Sequence, residues 1–308
     1  MGFLARLRLN LNEIRPREDR RLLGISMFLG ALVAFTGIDS SAKWILNDGF
    51  SVGQAVFMRY GVHLALIVGF LLPLLGKNLV RTKRPGLEVL RALMLLTSTG
   101  MNFAAVQYLS LSVTSAIFFM LPIILCAFSV PLLGEKVGWR RWAAIGVGFI
   151  GVLIIIRPGS ATFQWATLLS LGATVALAFY NILSRKLAGV DSLYTQQFYV
   201  ALAATIFVMP FAIGPFATQP WVFPTSSWSW VALFGMGMFG AVGHWLLTEA
   251  HRYAGASTLA PFVYGVIIPM TLSSWLIFGQ LPDVWIWVGA PIVLGSGLYI
   301  WVRERNRA

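Results

Sequence analysis

The sequence predicts an all-α integral membrane fold of ten transmembrane helices, arranged as two inverted five-helix repeats. Three observations carry that prediction. Of 308 residues, 58% are apolar and only 11% charged, with a mean hydropathy of +0.78, whereas soluble domains carry about 25% charged residues. The apolar runs are long and continuous, without the alternation of a membrane barrel. The basic residues fall in alternate loops, and several landmark residues recur at an offset of about half the chain.

Ten apolar segments follow one another at 22–43, 52–76, 89–109, 112–133, 139–156, 164–185, 193–213, 228–250, 255–279 and 283–302. The first repeat covers 22–156 and the second 164–302. Residues 1–21 form a basic cytoplasmic segment and 303–308 a cytoplasmic tail. The first 21 residues hold six arginines and no continuous apolar core, so they do not read as a cleavable signal peptide. Phe3, Leu4, Leu7 and Leu11 recur at helical spacing, which suits a helix lying on an anionic membrane surface. A disordered basic tail is the alternative.

The net charge of +12 does not indicate nucleic acid, because the basic residues sit at chain ends and in short loops. They are Arg6, Arg8, Arg15, Arg17, Arg20 and Arg21; Lys77, Arg81, Lys83, Arg84 and Arg91; Lys136, Arg140 and Arg141; Arg185 and Lys186; Arg252; and Arg303, Arg305 and Arg307. Ten spans place these 20 of the 23 basic residues on one side. By the positive-inside rule that side is cytoplasmic, with both termini there. Only Lys43, Arg59 and Arg157 fall elsewhere.

Gly30, Lys43 and Gln54 align with Gly172, Arg185 and Gln196 at an offset of 142. Tyr108, Ser112, Gly134 and Trp142 align with Tyr253, Ser257, Gly279 and Trp287 at 145. Five spans per copy is an odd number, so the copies cross the membrane in opposite senses. Such inverted repeats recur in alternating-access transporters.

Gly134-Glu135 closes the fourth segment before a basic loop, and Ile145 to Leu153 forms a glycine-rich fifth helix. Together with the ten spans these features resemble the drug/metabolite transporter superfamily, with EamA-type repeats. Gln280 stands where the second repeat would carry the glutamate, which speaks against a symmetrical role for Glu135. The spacing Asp39-x-x-x-Lys43 followed by Gln54-x-x-x-x-Arg59 is similar to a branch that includes riboflavin and S-adenosylmethionine importers.

Asp39 and Lys43, four residues apart, share a helical face on which they can pair. Lys43 is expected near the outer surface, Asp39 about 6 Å deeper and Arg59 roughly 10 Å deep on the second span. Ionisable groups inside a membrane face a partner or a cavity. One reading is an Asp39–Arg59 or Asp39–Lys43 pair that braces helices; the other leaves a cation for a substrate carboxylate, phosphate or electron-rich ring. His63 lies one turn beyond Arg59. Asn102, Phe119, Tyr180, Asn181, His244, Trp245 and Tyr264 supply polar groups and stacking faces deep in other segments, as a flat or amphipathic ligand requires. Each alone also serves as a packing residue.

Pro122, Pro261 and Pro269 interrupt the fourth and ninth spans and are candidate gating positions, static kinks being the alternative. Gly146, Gly148, Gly151, Gly289, Gly295 and Gly297 suit close packing of spans five and ten, where a homodimer interface stays open. Cys126 reads as core filler. There is no P-loop, metal-ligand cluster or activated nucleophile, so no enzyme activity, metal or cofactor is expected. The expected function is secondary active transport of a small amino-acid-, vitamin- or nucleoside-like metabolite, drawing on a coupling ion or exchange substrate. The alternative is a lipid or amphiphile translocator, or a non-transporting membrane partner.

Overall fold

A computed structural model describes residues 21–133, 139–158, 163–187 and 190–305. The amphipathic N-terminal segment and Gly134-Glu135 lie outside the described residues. Eleven main helices occupy the ten apolar segments: α1 (Arg21–Asn47), α2 (Val52–Leu66), α3 (Pro85–Val106), α4 (Leu111–Phe118), α5 (Leu121–Leu133), α6 (Trp139–Ile156), α7 (Ala166–Leu187), α8 (Leu193–Ala212), α9 (Ser227–Tyr253), α10 (Ile267–Phe278) and α11 (Val284–Arg305). Among the described residues seven helices are long and apolar enough to cross a membrane, and three shorter apolar helices accompany them.

Local chemistry sets the ends and breaks. Ser51, Ser110, Ser192 and Ser226 cap α2, α4, α8 and α9, each accepting from the amide three residues on. The fourth segment divides at Phe119-Met120 because Pro122 has no amide hydrogen for the preceding turn. The ninth divides in the same way. A short helix, Ala256–Leu259, passes through a 3₁₀ stretch, Ala260–Val266, that contains Pro261, before α10 begins.

Two boundaries correct the sequence reading. The first helix runs on to Asn47, so Lys43 lies within it and not at its end. The third starts at Pro85, so Arg91, counted above as a loop residue, is a buried helical one.

The strongest helix pairings are α1 with α9, α3 with α7, α6 with α11 and α2 with α8. Next come α2 with α9 and α3 with α8. Between membrane helices such contacts depend on close packing rather than on the hydrophobic effect, and small residues permit it. A Cβ on Gly37 would meet the Phe239 ring, one on Gly243 would meet Phe35, and one on Gly172 would meet Met101. Gly151 and Gly289 bring α6 and α11 together, where Ser296 Oγ donates to the Ala144 carbonyl. Cys126 is buried in the neighbouring core cluster.

Candidate functional site

The sequence-selected residues fall into four groups. The first joins α1, α2 and α3. Asn102 Nδ2 donates to Asp39 Oδ1 at 3.0 Å. Arg59 donates to the Thr99 hydroxyl, which is also 2.8 Å from the Tyr60 hydroxyl. The guanidinium lies 5.7 Å from the centre of the buried Phe103 ring. Neither Asp39 nor Arg59 is fully buried. The ion pairs among the described residues are Glu88–Arg91, Arg157–Asp283 and Glu249–Arg252; none joins Asp39 to Arg59 or Lys43. Asn102 Oδ1 is buried with no hydrogen-bond partner among the described residues. Arg59 has five N–H donors, and among the described residues Thr99 is its one hydrogen-bond acceptor.

Lys43 turns away from this group. Its side chain is 1% exposed, and Nζ donates to the carbonyls of Val106 and Leu109 at 2.7 and 2.6 Å. A cation on the last carbonyl of α3, Val106, and on that of Leu109 in the turn after it satisfies acceptors that a helix end leaves unpaired, and suits the helix dipole. This bracing contact with the backbone is neither the Asp39–Lys43 nor the Asp39–Arg59 pair expected from the sequence.

The second group centres on Arg91, which the sequence reading missed as a site residue. Its guanidinium donates to Glu88, the Gln196 carbonyl, the Ser184 hydroxyl and the Tyr180 hydroxyl, tying α3 to α7 and α8. Asn181, beside Tyr180, instead donates to the Leu177 carbonyl of its own helix. A signal was present: Glu88 and Arg91, three apart, face one way on a helix. The basic loop before them obscured it.

The third group is a stack of His63 on α2 and His244 on α9, with ring centres 6.0 Å apart and planes 7° from parallel. Phe35 of α1 meets His244 edge-on at 5.3 Å. The rings border a cavity of about 320 Å³ that Trp245 also lines. The fourth group is Phe119 and Tyr264, in contact at the two helix breaks. Pro122 stands beside Phe119, and Pro261 and Pro269 lie on either side of Tyr264.

The EamA-like transporter family model matches residues 22–157 and 164–302. The chain belongs to this family. A riboflavin transporter of Vibrio cholerae is 29% identical over 296 residues, 93% of this chain and 96% of that one. An S-adenosylmethionine uptake transporter of Rickettsia conorii is 26% identical over 285 residues, 92% and 94% of the two chains. A solved crystal structure overlays with a TM-score of 0.59 at 17% identity, covering 90% of this chain and 97% of that one; this last likeness shows the fold alone. The EamA-like chain is therefore a multi-pass membrane transporter and not an enzyme.

Proposed function

We propose that this EamA-like protein is a secondary transporter that moves a small organic metabolite across the bacterial inner membrane by alternating access. In this reading ten spans form two inverted repeats, 22–156 and 164–302, with both termini cytoplasmic. The pairing of helices supports it, since exchanging the halves turns α1–α9 into α7–α3 and α2–α9 into α8–α3, and all four contacts are present. Gly30 faces Leu246 of α9 while its counterpart Gly172 faces Met101 of α3.

One observation carries the site assignment: Asn102 Oδ1 is buried without a partner beside Asp39, within a group whose guanidinium keeps spare donors. Unpaired polar groups inside a membrane protein are costly, and a ligand with both donors and acceptors on a flat edge would satisfy them. Phe103, under the guanidinium, offers that ligand an apolar face. The relatives' names, riboflavin and S-adenosylmethionine, both denote heteroaromatic rings with hydrogen-bonding edges and polyol or ribose portions. We assign the substrate to this class and Asp39, Asn102 and Arg59 to its polar recognition.

Uptake of riboflavin and of S-adenosylmethionine into proteoliposomes tests this. The wild-type chain should accumulate or exchange one of them above empty liposomes. Asp39→Asn and Arg59→Ala, inserted normally, should each lose most of that flux. Wild-type flux in both variants would overturn the site; no flux of either compound would overturn the substrate class.

A further inference from the structure

The cavity below His63 and the basic turn that follows α2 lie against one cluster of packed side chains. Pro73 has no amide hydrogen for the carbonyl of Gly69, and its ring crowds that turn. Just before it the chain takes a π-helical turn, Ile67–Leu71, a wider geometry that often accompanies function. Ile67, Phe70 and Leu71 form one wall of the cavity of about 320 Å³; Met238, Val242 and Trp245 form the other. Phe70 is 71% and Trp245 51% exposed, so the mouth opens on the flank of the helices, where a membrane presents hydrocarbon.

The chain then turns back toward the same place. Gly76 has φ +56°, a conformation open to glycine, and it folds the short helix Lys77–Val80 against α8. Tyr199 donates to the Val80 carbonyl at 2.9 Å and Thr195 to that of Asn78 at 3.2 Å. Leu79 is buried in one cluster with Ile67, against which Leu71 and Tyr194 also pack, and these last three line the cavity. Lys77, Arg81, Lys83 and Arg84 follow, four exposed cations in eight residues. No ion pair among the described residues engages them. Asp191 docks here, accepting from the Thr82 hydroxyl and the Lys83 amide, and so holds the backbone of the turn.

We propose that this surface is a binding site for an anionic phospholipid, with its phosphate on Lys77, Arg81 and Lys83 and one acyl chain in the cavity between Phe70 and Trp245. Two features select this occupant. A soluble anion would use the cations and leave the apolar cavity empty. A neutral lipid would fill the cavity and leave the cations unmatched, whereas basic turns beside a membrane attract anionic headgroups. An acyl chain entering the cavity ends at His63 and His244, and His63 lies four residues along α2 from Arg59. Lipid occupancy is thereby connected to the helix that carries the candidate substrate site.

The test needs no transported substrate, so its outcome is separate from that of the transport assay. The purified full-length chain in mild detergent is titrated with phosphatidylglycerol or phosphatidylcholine, and bound lipid is read by native mass spectrometry and thermal unfolding. Phosphatidylglycerol should bind one-to-one and raise the melting temperature more than phosphatidylcholine. Combined Lys77→Gln, Arg81→Gln and Lys83→Gln should weaken it about a hundredfold, about fivefold per charge. Ala241→Phe or Val242→Trp, which fill the cavity, should weaken it without lowering the lipid-free melting temperature. Arg140→Gln, on a different exposed surface, should change nothing. Equal binding of the two lipids, or unchanged binding in the charge and cavity variants, would overturn the proposal. So would equally good competition by glycerol phosphate, which would assign the turn to a soluble anion.

Discussion

Phe119 and Tyr264, 145 residues apart in the chain, meet edge-on with ring centres 5.2 Å apart and planes at 76°. Their separation is the offset that aligns Tyr108 with Tyr253. Each ring stands where a helix is interrupted, between α4 and α5 and in the 3₁₀ stretch before α10. The Tyr264 hydroxyl is buried without a hydrogen-bond partner among the described residues and is lodged against Gly297 of α11.

Gly297→Ala therefore forces Tyr264 to move. Overpacking of this kind costs about 1–3 kcal/mol, and denaturation in detergent should show a loss of that size. Gly146→Ala, on α6, adds its methyl where no atom lies within 4 Å, and should change stability by less than about 1 kcal/mol.

Pro122 stands three residues after Phe119, at the first of these breaks. Pro122→Ala restores a backbone donor to the fourth segment and should raise the melting temperature while slowing turnover. Reconstituted flux and thermal unfolding, measured on the same preparation, test the pairing of these effects; unchanged flux would make the break a static kink.

Lys43→Met separates bracing from binding. Loss of two charge-assisted hydrogen bonds to Val106 and Leu109 should destabilise the chain by about 1.5–3 kcal/mol. Folded protein should keep a substrate KM within about twofold, a difference of under 1 kcal/mol.

Arg59→Lys keeps the charge and loses the planar fork. Because Arg59 holds Thr99 with one arm, a point charge cannot also serve a ligand edge, and the KM of the transported compound should rise about tenfold or more. If Arg59→Lys matched the wild type, charge alone would account for the residue.

Gln54 pairs both ways with Val222, donating to its carbonyl and accepting from its amide at 3.2 Å. This fastens the 213–226 connection between α8 and α9 over the start of α2, where Trp221 meets Phe57 edge-on at 6.0 Å. Gln54→Ala removes both bonds, worth about 1–3 kcal/mol, and limited proteolysis should then cut within 213–226 faster.

Much of the organisation was legible because its causes are local. Hydropathy located the helices and prolines marked the interruptions at Phe119 and before Tyr264, whereas the serine caps were seen only in the structure. The candidate site was legible only in part. Asp39, Asn102 and Arg59 do gather, since each is a polar group that must find a partner in apolar surroundings. Lys43, expected at a helix end, and Arg91, counted in a loop, are both buried within helices; a basic residue near a helix end reads the same whether it faces a loop, a lipid headgroup or a buried carbonyl.

By itself the sequence determined an all-helical membrane protein, the family, and the repeat offsets that align Tyr108 with Tyr253. The helices and the offsets follow from composition and spacing along one chain, which fix how each segment meets hydrocarbon; the family follows from the resemblance carried by Gly134-Glu135 and the glycine-rich fifth helix. The tertiary structure decided which polar groups meet: Asp39 with Asn102, Arg59 with Thr99, Arg91 with Tyr180, His63 with His244. Those choices depend on how far each helix slides and turns against its neighbours, His63 and His244 being 181 residues apart in the chain, and helical periodicity states which face a residue is on, not which helix that face will find.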